Sequence, residues 1–144
     1  MSALLNVTIA AASANQLSQV LQLRPGPGGN RSPTTVLLQG SLTYGSGGTT
    51  VDAWVQTSVD GGNSWVDVAN FHFTTSSAKA LFNLSSATPL TTQYAPTDGS
   101  LAANTSKDGI IGHLWRVKYT SVGTYAGNTT LRVDMIADGV TAQS

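Results

Sequence analysis

Apolar residues in this chain return at every second position, in short runs cut by Gly, Pro and Asn, and no stretch carries the three-and-four spacing of an amphipathic helix. Leu5, Val7 and Ile9 alternate with Asn6 and Thr8 near the start, and Trp115, Val117 and Tyr119 alternate with Arg116 and Lys118 near the end. A strand with this pattern turns one face to a core and the other to water, so the chain reads as strands throughout. Composition agrees: all seven acidic residues are Asp, only 10% of residues are charged, and Thr, Ser, Val and Gly are abundant.

The alternation predicts about eight strands at the short spacing of a sandwich or barrel. They run over Leu4 to Ala11, Leu17 to Leu23, Thr35 to Tyr44, Thr50 to Val59, Ser64 to Thr74, Ala80 to Leu84, His113 to Val122 and Thr129 to Ala137. Pro and Gly between Arg24 and Gly29 stop pairing, and Gly45 to Gly48 makes the next turn. A single antiparallel β-sandwich over residues 1–144 follows; its strand count favours a jelly roll over an immunoglobulin-like fold. At 144 residues the core is self-sufficient.

Two hairpins are expected. In the central one, Asp60 to Asn63 forms the loop, so that Val59 faces Ser64, Thr57 faces Val66 and Val55 faces Val68. Val51, Ala53, Val55, Val66 and Val68 then point inward, Trp54 and Trp65 outward, and the change of parity at Phe71 and Phe73 predicts a bulge near Ala69 and Asn70. The second joins the last two strands through Gly123 to Asn128, with Leu131, Val133 and Met135 inward and Arg116, Lys118, Arg132 and Asp134 outward. Between the hairpins, Ser86 to Gly109 is longer than an ordinary connection and is expected to serve assembly and not folding.

No catalytic constellation is assembled from these residues. His72 and His113 stand apart and share no metal-ligand spacing with Asp, which predicts no metal and no cofactor, and the Gly-x-Ser-x-Gly elbow is absent. Ser58-Val59-Asp60-Gly61-Gly62-Asn63-Ser64-Trp65 matches the Asp box of sialidases. One box without blade repeats is best read as a well-made turn, with Asp60 capping the loop. Zero net charge and scattered basic residues argue against nucleic-acid and membrane partners. Absence of Cys and of a basic leader suits folding in a reducing cytoplasm.

The segments VDAWVQTSVDGGNSWVDVANFHF and HLWRVKYTSVGTYAGNTTLRVDMIADG resemble small structural proteins of tailed bacteriophages, and more narrowly their capsid decoration, or cement, proteins. The resemblance implies a non-enzymatic virion protein, made in the host bacterial cytoplasm and seated on the capsid surface. There it would act as a homo-oligomer, dimer or trimer, that bridges major capsid subunits. A carbohydrate- or receptor-binding sandwich from a tail fibre is the alternative, with Trp54 and Trp65 as its stacking platform. The interface candidates are Leu5, Val7 and Ile9, as a first strand passed to a neighbouring chain, the outward pair Trp54 and Trp65, and the charged stripe Arg116, Lys118 and Arg132.

Overall fold

The computed structural model describes residues 2–25, 34–137 and 140–143. The turn expected over Gly26 to Gly29 lies outside the described residues. Every strand pairing is antiparallel, and the described chain is all β. The strands are β1 (Ser2–Thr8), β2 (Ser13–Leu17), β3 (Leu21–Pro25), β4 (Thr35–Thr43), β5 (Ser46–Gly47), β6 (Thr50–Ser58), β7 (Val66–Phe73), β8 (Ala78–Ser85), β9 (Leu114–Val122), β10 (Tyr125–Ala126), β11 (Thr130–Ala137) and β12 (Val140–Gln143).

Two sheets pack face to face. Sheet one has the order β1-β11-β4-β8, and sheet two the order β12-β3-β9-β6-β7 with β2 also pairing β9. A small ribbon of β5 and β10 closes one end, where the Tyr125 hydroxyl donates to the Thr74 carbonyl at 2.8 Å. The core between the sheets draws Val36, Leu38, Leu42, Leu84, Leu131, Val133 and Met135 from sheet one, and Val51, Ala53, Val55, Phe71, Trp115 and Val117 from sheet two. Apart from Leu84 these are positions that alternation assigns to the inside, with Tyr119 packed against them; Val66, also expected inside, is only partly buried and lines the groove beside the central loop. At Gly40 on β4 an added Cβ would lie 2.5 Å from the Phe71 ring of the other sheet.

The central hairpin forms as expected up to its bulge. Thr57 faces Val66, but Val55 faces Ala69 and Gln56 faces Asp67, so Val68 is the extra residue, one position earlier than the parity change suggests. Val68 and Ala69 are both buried in consequence. The loop is held by Asp60, whose Oδ1 accepts from the Ser64 N–H at 2.9 Å and whose Oδ2 accepts from the Ser64 hydroxyl at 2.6 Å. These bonds, the Ser64 hydroxyl foremost, hold the Asp60 carboxyl below its ordinary pKa. The Gly62 N–H donates to the Ser58 hydroxyl at 2.9 Å, and Gly62 takes a φ of 93°. A β-branched residue tolerates that backbone poorly, so Gly62→Val is expected to cost at least ~1 kcal/mol. Thermal melts of the two proteins check it; equal melting temperatures would refute the strain.

The second hairpin does not form. β9 lies in sheet two and β11 in sheet one, and the connection between them crosses from one sheet to the other. Gly123, Gly127 and Asn128 all have positive φ along this connection, which turns the chain out of one sheet and into the other. Side-chain parity is the same for a hairpin as for a crossover, so alternation cannot tell them apart. The stripe Arg116, Lys118 and Arg132 is therefore split between opposite outer faces of the sandwich. The strand expected over Leu17 to Leu23 is likewise two strands, β2 and β3, laid end to end against β9.

Candidate functional site

The outer face of sheet two is polar and tightly bonded. Side by side on β6, β7 and β9 stand Asp52, His72 and Thr120, then Trp54, Asn70 and Lys118, then Gln56, Asp67 and Arg116. Asp52 Oδ1 lies 2.8 Å from His72 Nδ1. Gln56, fully buried, donates to Asp67 at 2.8 Å and to Asp98 at 2.7 Å, and accepts from Arg116 Nε at 2.7 Å. Lys118 Nζ reaches Asp98 at 2.7 Å. Burial works to raise the Asp98 pKa, but the Lys118 and Gln56 bonds and the charges of Lys118 and Arg116 outweigh it and hold the carboxyl below its ordinary value.

This face is roofed by the chain itself. Residues 97–107 run along the outer edge of β7: Asp67 N–H donates to the Thr97 carbonyl, Asn70 N–H to the Thr105 carbonyl and Lys107 N–H to the Val68 carbonyl, each at 2.8 Å. The fully buried Asp67 carboxylate accepts the N–H groups of Gly99, Ser100 and Leu101 and the Thr97 hydroxyl, at distances from 2.8 to 3.1 Å. Successive N–H groups converging on one oxygen make an anion-binding nest, here filled by the protein's own side chain. A second peg is Asp108, which accepts from the Ser85 N–H at 2.6 Å and from the Thr88 hydroxyl at 2.9 Å; the Ser85 bond leads the causes that lower its pKa. The segment from Ser86 to Gly109 is thus a strap that covers an edge strand, which is a folding role that its length alone does not reveal.

Trp54 and Trp65 do share the outer face of sheet two, as the pattern predicts, but neither offers a bare ring. Trp54 Nε1 donates to the Leu101 carbonyl of the strap at 3.0 Å, and the Arg116 guanidinium sits 4.2 Å from the Trp65 ring centroid. Beside the central loop, an open groove of about 470 Å³ is lined by Val59, Val66, Leu90, Tyr94, Pro96 and Ile110 without a charged residue. Among the described residues no group of three or more His, Cys, Asp or Glu converges as metal ligands would.

The first strand is not passed to a neighbour. β1 pairs with β11 of its own sheet, Leu5 and Ile9 are buried with Leu4 in the core, and Val7 packs against it. A bulge between Ala3 and Leu5 is what lets the consecutive residues Leu4 and Leu5 both turn inward. These interface candidates are therefore core residues. Arg116 and Lys118 are engaged in the Asp98 network, and Arg132, on the opposite face, pairs with Asp134 at 2.9 Å.

What the pattern missed is on sheet one. Leu37, Leu81 and Ile136 point outward from the adjacent strands β4, β8 and β11, with 42%, 60% and 52% of their surface exposed. Leu37 stands directly opposite Ile136, and Leu81 stands opposite Gln39, one step along the same face. Each interrupts the alternation: Val36-Leu37-Leu38, Ala80-Leu81-Phe82 and Met135-Ile136-Ala137 are apolar where a polar outer residue is due. Three such interruptions meeting on one face are a legible signal once strand order is known. No family model, curated protein or solved structure matches the chain.

Proposed function

We propose that the protein is a structural adhesive and not a catalyst, and that it decorates the outside of an icosahedral phage shell by laying the outer face of sheet one on the major capsid protein. The observation that carries this reading is the contrast between the two outer faces. Sheet two is covered along β7 by its own strap, and its exposed Leu17 and Val122 stand apart at different positions along β9, whereas sheet one brings Leu37, Leu81 and Ile136 together on three neighbouring strands. Contiguous exposed aliphatic surface on a flat sheet is what a macromolecular partner removes from water. The resemblance of the central and C-terminal segments to decoration proteins names the partner. Each contact that bridges two shell subunits adds free energy against rupture, and the effect is multiplied by copy number. The site of action is the virion surface, after folding in the host cytoplasm.

Leu37 is 42% exposed, so covering the rest on association is worth ~1 kcal/mol, roughly fivefold in affinity. Leu37→Asp removes that gain and also buries a charge. The expected result is at least a tenfold loss of binding to shells assembled from the major capsid protein of the phage that carries this chain, with the protein still folded, because Leu37 lies on the outer face and not in the core. Measured by co-sedimentation with such shells, undiminished binding of Leu37→Asp would refute the docking face, and failure of the parent protein to bind would refute the function.

A further inference from the structure

The fold protects one sheet edge and leaves another bare. The outer edge of β7 is filled by the strap through backbone bonds from Asp67, Asn70 and Lys107. The outer edge of β8 has no such cover. The phase of its ladder follows from one bond: Ser86 N–H donates to the Thr34 carbonyl at 2.9 Å, directly opposite, so this is a hydrogen-bonded pair. Such pairs alternate along an antiparallel ladder, so Leu84, Phe82 and Ala80 turn their backbone groups toward β4, while Ser85, Asn83, Leu81 and Lys79 turn theirs away. The Ser85 N–H is accepted by Asp108, as that phase requires. No hydrogen bond to the N–H or C=O of Asn83, Leu81 or Lys79 is present among the described residues.

We propose that this edge is a strand-addition site for a second copy of the same chain, pairing β8 with β8 antiparallel about a two-fold axis at Leu81, so that the two copies of sheet one become one continuous sheet. Four features of the strand fit a copy of itself. A two-fold perpendicular to the sheet keeps outer faces together, so the axis must pass through a residue and not between two residues. Centred on Leu81, each outward backbone group meets an outward partner, giving roughly six hydrogen bonds. The same register sets Lys79, the strand's one charge, opposite Asn83 of the other copy, so no like charges meet. On the inner face, partly buried Phe82, whose ring centroid is 5.2 Å from that of Phe71, falls opposite the other copy's Ala80 and gains cover. On the outer face the two Leu81 side chains meet, and the aliphatic surface continues from one copy to the next.

Sedimentation equilibrium of the protein alone tests this without any shell, so its outcome is separate from that of capsid binding. The parent protein is expected to be a dimer. Leu81→Pro removes only an outward N–H and leaves the β4 ladder intact, so it should give a folded monomer with the parent's far-UV spectrum. The charge pair fixes the register even if that variant fails to fold. Asn83→Asp, set opposite Lys79, should tighten the dimer and Asn83→Lys should loosen it, each by roughly two- to thirtyfold over the two symmetric contacts. A monomer or trimer at ~100 micromolar, a dimer that survives Leu81→Pro, or equal effects of the two Asn83 substitutions would each overturn the proposal.

Discussion

Asp67→Ala is expected to lower the unfolding free energy by ~3 kcal/mol or more and the melting temperature by roughly 10 °C. The carboxylate is fully buried and accepts from Thr97, Gly99, Ser100, Leu101 and Gln56. Truncation leaves three backbone N–H groups facing a void. It also strips Arg116 of an acid whose charge it feels. An unmade bond to a buried donor costs the desolvation of that donor, ~1–3 kcal/mol each before relaxation. Because the strap can lift away from β7 and let water reach those donors, the loss should stop well short of the sum, and the lifting itself is measurable. Limited proteolysis of Asp67→Ala should cut between Thr97 and Lys107 under conditions that leave the parent intact. Asp67→Asn, which keeps one acceptor and the volume, should fall between the two. Parent-like denaturation midpoints for Asp67→Ala would show that the strap is held by its backbone bonds alone.

That experiment also bears on whether Ser86 to Gly109 is dispensable. Its length, and its Thr, Ser and Pro, mark it as more than a turn. Nothing local shows that it returns to pair with a strand some thirty residues earlier. Asp67 itself sits between Val66 and Val68 in a run that reads as ordinary alternation, where a polar residue at an outward position implies water. The structure puts another part of the chain where water was expected. Replacing the segment by a short Gly-Ser loop would therefore leave the buried carboxylate without its donors and the edge of β7 without its cover.

Alternation proved a reliable guide to which residues face inward and a poor guide to which strands are neighbours. Val51, Ala53 and Val55 on β6 and Leu131, Val133 and Met135 on β11 are all buried, as the pattern requires. Pairing depends on where each connection sends the chain, and two connections of similar composition behave differently. Asp60 to Asn63 is short and carries its own hydrogen-bond acceptor, so it folds back on the spot. Gly123 to Asn128 instead pairs Tyr125 and Ala126 with Gly47 and Ser46 and crosses to the other sheet. The placement of the first strand turns on the same point. Leu5 and Ile9 have an amphipathic strand's pattern wherever that strand pairs, and its partner is β11 of the same chain. Strand addition is sound physics for a sandwich, and β8 is an edge whose outward backbone groups have no partner among the described residues.

Gly40→Val is expected to cost ~3 kcal/mol, and Gly40→Ala somewhat less, although Gly40 sits inside a strand where alanine would ordinarily be tolerated. Two effects oppose each other at this site. Replacing glycine by alanine in a compatible backbone removes freedom from the unfolded chain and stabilises by ~0.4–1 kcal/mol. Against that, the new Cβ would stand 2.5 Å from Phe71 Cγ and 2.7 Å from both Cδ atoms, directly over the ring. The Phe71 ring is itself fully buried and lies against Phe82, so it has nowhere to retreat without moving a second ring. Overpacking of this kind costs ~1–3 kcal/mol, which exceeds the entropic gain, and a valine adds two more carbons to the clash. The sign of the alanine effect therefore measures how closely the two sheets approach. Pairing Gly40→Ala with Phe71→Leu provides the control: the smaller side chain should relieve the clash, so the double variant should be more stable than the two separate losses predict. If Gly40→Ala alone melts at or above the parent temperature, the sheets stand further apart at Gly40 than the ring contact implies, and the glycine is there for some reason other than room for Phe71.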